Sequence, residues 1–304
     1  MSLLGLFEQE ETRVSQFVIC TDATCDFTPE IVEKLGVEVF PMEFLIDGIA
    51  YHHYPDAREM SMDEFYTKVK AGKMPTTTQI SRMVYEEYFE KQLKAGQDVL
   101  YIAFSSALSS TYASSCQVAK EMMEAYPGRT ICCVDSRCAS YGEGMLVYKA
   151  VEMQKAGASL KETEQELLSM RDRVDHWVVV DDLRHLHRGG RIPKAAAIAG
   201  TALGIKPIIH IDFEGRLIPC DKVRGRKKGC DYLLDKAAKR WTDRSMPLYV
   251  VHTHCPEEAK ELAERAQEEL GAQNVEIHEV GPIIGAHTGA GLLALLYMAD
   301  TKQI

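Results

Sequence analysis

The sequence lacks the features of a membrane protein and of a nucleic-acid-binding protein. No apolar run approaches the roughly 20 residues that a membrane-spanning helix needs. The formal net charge is −10 at pH 7, which makes nucleic acid or an anionic membrane surface a poor main partner. The nine cysteines include no CxxC pair. This pattern predicts reduced thiols in a cytoplasmic protein and argues against a disulfide framework or a zinc site.

Several common catalytic signatures are also missing. The sequence has no Walker phosphate loop and no Gly-x-Ser-x-Gly nucleophile elbow. The stretch Gly289–Ala294 imitates a dinucleotide fingerprint but lies too near the C-terminus for a βαβ unit to follow. Three histidine pairs have no carboxylate at convincing ligand spacing, namely His52 with His53, His185 with His187, and His252 with His254. We therefore expect no cofactor and no metal ion.

What the sequence does contain is a regular alternation of strand and helix patterns over its first half. Apolar runs of strand length alternate with helical segments from Phe17 to Arg173, a pattern typical of a parallel sheet with helices on both faces. Later, Glu214-Gly215 between two apolar runs predicts a β-hairpin within a mixed sheet. We therefore predict an α/β protein with two domains. A loose leader over 1–16 precedes an N-terminal domain over 17–173 and a C-terminal domain over 174–304.

Four local expectations accompany this fold. We expect one extended run over 37–46 and an Ala-rich helix over 194–203. Near the end of the chain, we expect a glycine-rich loop over 281–291 and a short apolar helix over 292–298.

The loop Phe104–Tyr112 joins an apolar strand to a helix and is rich in serine. The first N–H groups of a helix are unpaired and its dipole is positive there, so such a loop is a common anion site. Taken alone, however, these serines are more simply explained as a helix cap. His287 lies among glycines that let a ligand come close, where it can donate to an anion or hydrogen-bond to the backbone.

Two basic stretches stand out in this acidic chain. Arg188-Gly-Gly-Arg191 could bind phosphate or a partner protein, or could form a turn with two solvated arginines. The cluster Arg224–Lys228 could dock an acidic or phosphorylated partner, or could simply begin a helix in solvent.

Six short motifs, taken in order, resemble those of the DegV family of bacterial fatty-acid-binding proteins. They are Asp22–Asp26, Thr77–Ile80, Ser106–Thr111, Arg188–Ile192, Lys222–Gly225 and His287–Gly291. The resemblance extends over about residues 17–300, and the order and spacing of the motifs make it specific. It implies a two-domain α/β fold that holds one long acyl chain in a tunnel between or beneath the domains.

The resemblance also implies roles for individual residues. Thr77, Ser109 and His287 match the family residues that hydrogen-bond the carboxylate of the fatty acid. Pocket support is expected from a second set: Thr24, Thr78, Ser110, Gly285 and Gly289. Candidates for docking a partner kinase are Arg188, Arg191 and Arg224. Ala23, Ser110 and Ala290 depart from the family pattern, and the acyl preference could differ as a result.

The function that the resemblance implies is that of a carrier and not of an enzyme. The family's partner is an ATP-dependent fatty acid kinase related to dihydroxyacetone kinases, whose product, an acyl phosphate, feeds phospholipid synthesis. Two alternatives stay open. A stand-alone hydrolase could use Ser109 with His287, although no third triad member is evident. A carrier or sensor could also bind another small amphiphile without a kinase.

Overall fold

The computed structural model describes residues 17–181, 183–194 and 204–302. The predicted leader over 1–16 lies outside the described residues, as does the predicted Ala-rich helix except for Lys194. Elements are numbered below in chain order over the described residues.

The strands are β1 (Phe17–Asp22), β2 (Glu38–Phe40), β3 (Met42–Ile46), β4 (Ile49–His53), β5 (Thr76–Thr77), β6 (Asp98–Ala103), β7 (Ile131–Asp135), β8 (Val174–Val179), β9 (Ile205–Ile211), β10 (Leu217–Arg224), β11 (Leu248–His252), β12 (Val275–Glu279) and β13 (Leu293–Met298). The α-helices are α1 (Pro29–Leu35), α2 (Met62–Lys70), α3 (Arg82–Lys94), α4 (Thr111–Ala125), α5 (Tyr141–Lys155), α6 (Leu160–Met170), α7 (Arg184–Arg188), α8 (Arg226–Arg240), α9 (Pro256–Leu270) and α10 (Pro282–Thr288). None of these helices is long and apolar enough to cross a bilayer.

The first half of the chain forms a four-stranded parallel sheet in the order β2-β1-β6-β7. Its central strands are apolar on both faces because both faces are covered. Ile19 and Leu100 point toward α5 and α6, whereas Cys20 and Tyr101 point toward α3 and α4. This is the predicted parallel sheet with helices on both sides, so the α/β class is confirmed.

A small antiparallel sheet, in the order β4-β3-β5, was not predicted. The run 37–46 was expected to be one strand, and this was wrong because Pro41 divides it. Proline has no N–H to continue a ladder of hydrogen bonds. β2 therefore pairs with β1, while β3 turns away to pair with β4 and β5. This small sheet fixes the position of Thr77, which pairs with Phe44 of β3.

The second half forms a six-stranded mixed sheet in the order β10-β9-β8-β13-β11-β12. The predicted hairpin is present as β9 and β10, which are antiparallel. The expected terminal helix is wrong, because Leu293–Met298 is strand β13 at the centre of this sheet, between β8 and β11. A short apolar run that is buried on both faces has no alternation to separate a strand from a helix. The division into domains at residue 174 stays a prediction.

The glycine-rich stretch near the C-terminus contains a helix that was expected to be a loop. Pro282 occupies the first turn of α10, where its missing N–H costs nothing, and Gly289 ends the helix. α10 contacts α2, β3, β5 and α7, while α5 contacts strands of both large sheets. α5 therefore lies where the parallel and mixed sheets approach each other, and α10 packs on the small antiparallel sheet.

Candidate functional site

A cavity of about 310 Å³ lies against the mixed sheet, within the range of about 300–1,000 Å³ typical of small-molecule sites. Alternate residues of a strand share one face of a sheet, and the cavity follows one face of β8, β9 and β13. Six apolar residues on this face form much of the wall: Val178, Val180, Ile209, Ile211, Ala294 and Leu296. Such a wall suits an apolar chain better than a polar substrate.

Polar side chains from four separate segments meet at the end of the cavity near α7 and α10. β5 supplies Thr77, the loop before α4 supplies Ser109, the loop after α7 supplies Arg191, and α10 supplies His287. All four line the cavity and are half-buried. The structure therefore brings together the three predicted carboxylate ligands, which are separated by up to 210 residues in sequence. We call these four residues the polar cluster.

Thr77 and His287 are joined directly, with 2.8 Å between Thr77 Oγ1 and His287 Nε2. The other ring nitrogen, Nδ1, is buried without a hydrogen-bond partner among the described residues. With the proton on Nε2, the ring donates to Thr77 Oγ1 and Nδ1 is an unpaired acceptor, which is less costly than the buried unpaired N–H that the other tautomer would leave. The threonine hydroxyl is then free to donate its own proton into the cavity.

His287 is held as a neutral ring. Burial lowers the pKa of His287 to about 4, and the positive charges of Arg191 and Arg188 act in the same direction. The ring packs closely on Gly189, where an added Cβ would lie 2.1 Å from Nδ1. Only glycine lets the chain approach the imidazole this closely, which accounts for one glycine of the Arg188-Gly-Gly-Arg191 motif.

Ser109 both caps a helix and faces the cavity. Its Oγ accepts a hydrogen bond from the Thr111 N–H at 3.2 Å and lies 2.8 Å from Thr111 Oγ1. The cap occupies the oxygen as an acceptor, but the hydroxyl proton can still be donated to Thr111 or to a ligand. Ser110, at the cap position itself, makes no side-chain capping bond and also lines the cavity. The two interpretations of this loop are therefore compatible.

Arg191 was expected at a docking surface, but its side chain lies on the cavity wall. Its Nε donates to the Leu108 carbonyl at 2.9 Å, and Nη1 donates to the Gly189 carbonyl. Arg191 thus links the Ser109 loop to the turn that packs on His287. The sequence alone could not separate this role from that of a solvated arginine.

Asp26 fixes the start of α10 relative to the cavity. One carboxyl oxygen accepts from the Gly281 N–H at 2.9 Å, and the other accepts from Ser140 Oγ at 2.6 Å. Gly281 immediately precedes α10, and Ser140 lines the cavity. Burial raises the pKa of Asp26 to about 7, despite the opposing effect of these two hydrogen bonds.

Several predicted residues lie away from the cavity wall or only near its rim. Thr24 is buried, and its Oγ1 lies within hydrogen-bond distance of both Asp22 and Glu143. Thr78 lines the cavity but donates its hydroxyl to Glu43 at 3.2 Å. The remaining predicted residues are not among those that line the cavity: Gly285, Gly289, Arg188 and Arg224. Arg188 is exposed and donates to the Ala286 carbonyl, and Arg224 is exposed at the end of β10.

Four polar residues of the cavity were missed at the sequence level: Gln79, Ser140, His176 and Thr288. Ser140 lies in the loop before α5, and His176 lies on β8 in line with Val178 and Val180. The available signal for His176 was weak, because it consisted of one polar residue in phase with two buried valines on the same strand.

The described ranges contain no group of three or more histidine, cysteine or acidic side chains placed to hold a metal ion. All nine cysteines are free thiols.

Comparison with known proteins identifies the family to which this chain belongs. A family model described as "Uncharacterised protein, DegV family" matches residues 16–300. A DegV domain-containing protein of Clostridium perfringens is 37% identical over 291 residues, which is 95% of this chain and 100% of that protein.

Solved structures agree with the sequence comparison. A DegV family protein from Thermus thermophilus, described by its fatty acid binding, is 29% identical with a TM-score of 0.83, covering 93% of this chain and 99% of that one. DegV from Bacillus subtilis, described as a fatty acid binding protein, is 29% identical with a TM-score of 0.79, covering 94% and 100%. The family match over nearly the whole chain and the shared fold lead to one conclusion: this chain belongs to the DegV family.

Proposed function

We propose that this chain binds a long-chain fatty acid in the cavity, with the carboxylate at the polar cluster and the tail along the mixed sheet. The observation that carries the proposal is the division of one cavity into a polar end and apolar walls. Thr77, Ser109 and His287 form that end together with Arg191. The fatty acid binding described for the Thermus and Bacillus relatives supports the same class of ligand here.

The tail supplies most of the affinity. Each buried methylene contributes roughly 0.8 kcal/mol, so about sixteen carbons contribute on the order of 10 kcal/mol before the cost of ordering the ligand. Walls of valine, isoleucine and leucine offer no polar group that would have to be desolvated along most of this length.

The head group requires compensation, because a buried carboxylate without donors is costly. Thr77 and Ser109 each have a hydroxyl proton available for donation, and the Arg191 guanidinium contributes positive charge nearby. Its Nε and Nη1 already donate to backbone carbonyls, so it does not grip the carboxylate as a full bidentate fork. The carboxylate oxygens then keep enough freedom to act as a nucleophile.

We further propose that the bound acid is presented to a separate ATP-dependent fatty acid kinase related to dihydroxyacetone kinases. That kinase would phosphorylate the carboxylate on the carrier, and the acyl phosphate would enter phospholipid synthesis. Arg188 and Arg224 are exposed and remain the candidates for docking this partner. Arg191 would then act on the head group more than on the partner.

The hydrogen bonds of the described residues favour a carrier over a serine hydrolase. In a hydrolase, the serine hydroxyl would be bonded to the imidazole that removes its proton. Here Ser109 Oγ bonds to Thr111, and His287 Nε2 bonds to Thr77.

Mass spectrometry of the lipid that copurifies with the full chain tests this function. We expect long-chain fatty acids that are released only on denaturation. A polar ligand, or acyl-ester turnover by the purified chain alone, would contradict the proposal.

A further inference from the structure

A second cavity, of about 600 Å³, adjoins the stretch of chain that follows α10. Thr288 lines both cavities, Ala290 and Gly291 line the second, and Leu292 lines the first. This short stretch of chain is therefore part of the wall of both cavities. The proposed fatty acid site does not use the second cavity.

The walls of the second cavity are charged, unlike those along the acyl tail. Among the described residues, four cationic and two acidic side chains line it: Lys70, Arg184, Lys206 and Arg226, against Asp181 and Glu258. The chain as a whole has a net charge of −10, so this local excess of positive charge runs against the charge of the whole protein. A cavity with walls of one predominant sign attracts ligands of the opposite sign.

Two of the four cations are held at the wall by the two acids. Lys206 Nζ lies 2.7 Å from Asp181 Oδ1. The Arg226 guanidinium contacts Glu258 Oε2 through Nε at 2.9 Å and through Nη2 at 2.6 Å. These ion pairs fix both cations in place, and an anion that binds beside them meets side chains that are already ordered.

The other two cations are exposed at the cavity. Lys70, at the end of α2, donates to the His254 carbonyl at 3.4 Å, and none of its contacts among the described residues is to a carboxylate. Arg184, at the start of α7, is also exposed. Both charges are therefore accessible to an anion that enters from solvent. A hydrated cleft stabilised by its own ion pairs would need only the two cations that face the acids.

The start of α8 favours an anion in this cavity for a separate reason. α8 begins with Arg226, Lys227 and Lys228, and its first turn contains no acidic residue. Its N-cap, Gly225, provides no side-chain cap. Three positive side chains thus lie at the positive end of the helix dipole, where acidic groups are the stabilising ones. An anion beside Arg226 would offset this repulsion, which gives the basic cluster of the sequence a function.

We infer that the second cavity binds a small molecule that carries phosphate groups, held by Lys70, Arg184, Lys206 and Arg226. Phosphate oxygens accept charge-assisted hydrogen bonds from lysine and arginine. The cavity is larger than a single phosphate ion, so a diphosphate or a larger phosphate ester fills it better. The inference does not depend on the proposed function, because the ligand would occupy a different cavity from the fatty acid.

The test is calorimetric titration of the full chain with pyrophosphate, at low salt and without divalent cations. We expect saturable binding that weakens as salt is added, because salt screens charged contacts. Lys70→Gln and Lys206→Gln should each raise the Kd about tenfold, which corresponds to one charge-assisted hydrogen bond. Lys227→Gln is the matched control. It removes one charge from a side chain that is 83% exposed and does not line the cavity, and it should change the Kd much less.

A second titration, of the chain loaded with palmitic acid, separates this site from the polar cluster. We expect pyrophosphate to bind with nearly the same Kd as before. Displacement of one ligand by the other would place pyrophosphate at the polar cluster and contradict the inference. Absence of saturable binding, or an equal rise of the Kd in Lys70→Gln and Lys227→Gln, would also contradict it.

ATP titrated in parallel identifies the source of the phosphate groups. Binding tighter than that of pyrophosphate assigns a nucleotide, and weaker binding assigns a smaller phosphate compound; the site stands in both cases. Palmitic acid binding is measured separately. Loss of pyrophosphate binding alone therefore leaves the proposed function intact, and loss of palmitic acid binding alone leaves this inference intact.

Discussion

Arg191 Nε lies 2.9 Å from the carbonyl oxygen of Leu108, and this bond joins the turn after α7 to the residue that precedes Ser109. Two segments that are more than eighty residues apart in sequence are thereby fixed to each other at the head-group end of the cavity. The bond gives Arg191 a part in positioning the Ser109 loop that a solvated surface arginine would not have.

Arg191→Lys should therefore weaken fatty acid binding. Lysine keeps the charge but cannot donate to the Leu108 and Gly189 carbonyls at once in the same geometry. We expect the Kd for palmitic acid to rise about three- to tenfold, which corresponds to roughly one lost hydrogen bond. Arg224→Ala, at an exposed position, is the matched control and should leave the Kd unchanged. An unaltered Kd in Arg191→Lys would contradict a role at the head group and would favour the predicted role in docking a partner.

The Thr77 hydroxyl should distinguish an acid from an alcohol. Thr77→Val keeps the shape of the side chain and removes its proton, so binding of palmitic acid should weaken about tenfold or more. Binding of hexadecanol, which has the same tail without the charge, should change much less. Thr78→Val is the control, because the Thr78 hydroxyl donates to Glu43. Equal losses for acid and alcohol would show that Thr77 shapes the cavity without contacting the carboxylate.

The capping role of Ser109 and its proposed role at the head group can be measured in different assays. Ser109→Ala removes the bond to the Thr111 N–H, and we expect about 1 kcal/mol of lost stability in urea unfolding. Fatty acid binding should weaken modestly, since the tail remains buried, whereas phosphorylation by a competent kinase should fall more. Ser110→Ala, which loses no capping bond, serves as the reference. Phosphorylation of Ser109→Ala at the normal rate would remove Ser109 from the head-group site.

Asp26 should make the folded state less stable as the pH rises. Its pKa is about 7 in the folded chain and near 3.8 when unfolded, so the folded state retains a proton that the unfolded state has released. The contribution of Asp26 to the free energy of unfolding should fall between about pH 4 and pH 7, by up to roughly 4 kcal/mol. Buried histidines such as His287, whose pKa is lowered, contribute in the opposite direction.

The matched pair Asp26→Asn and Asp235→Asn isolates this effect. Burial also raises the pKa of Asp22 and of Glu143, so some slope will persist in any variant. Asp26→Asn should reduce the change in the free energy of unfolding with pH by the contribution of one titrating group. Asp235→Asn, at an exposed position on α8, should leave that change unaltered. Identical slopes in wild type and Asp26→Asn would contradict the assignment.

The fold was predictable where apolar residues recur along the sequence with the regular spacing of a strand or a helix. Alternating strand and helix patterns indicated the parallel sheet, and Glu214-Gly215 indicated the hairpin of β9 and β10. The error at Leu293–Met298 arose because a strand buried on both faces has no period to read. The error at Pro282–Thr288 arose because glycine and proline signals were interpreted as a loop where they begin and end a helix.

The site was predictable only in part. Thr77, Ser109 and His287 came from motifs whose order resembles one family, and the structure brings them to one cavity. The position of Arg191 on the wall depends on the path of the chain after α7, which no local pattern specifies. His176 lies in an ordinary strand, and only the pairing of β8 with β13 shows that it shares the cavity face with Val178.

The most direct test of the central claim is equilibrium binding of palmitic acid to the delipidated full chain, with hexadecanol as the comparison. The account predicts saturable one-to-one binding of the acid, with the alcohol about tenfold weaker because it cannot use the charge-assisted bonds of the polar cluster. Absence of saturable binding of the acid, or equal affinity for acid and alcohol, would contradict it.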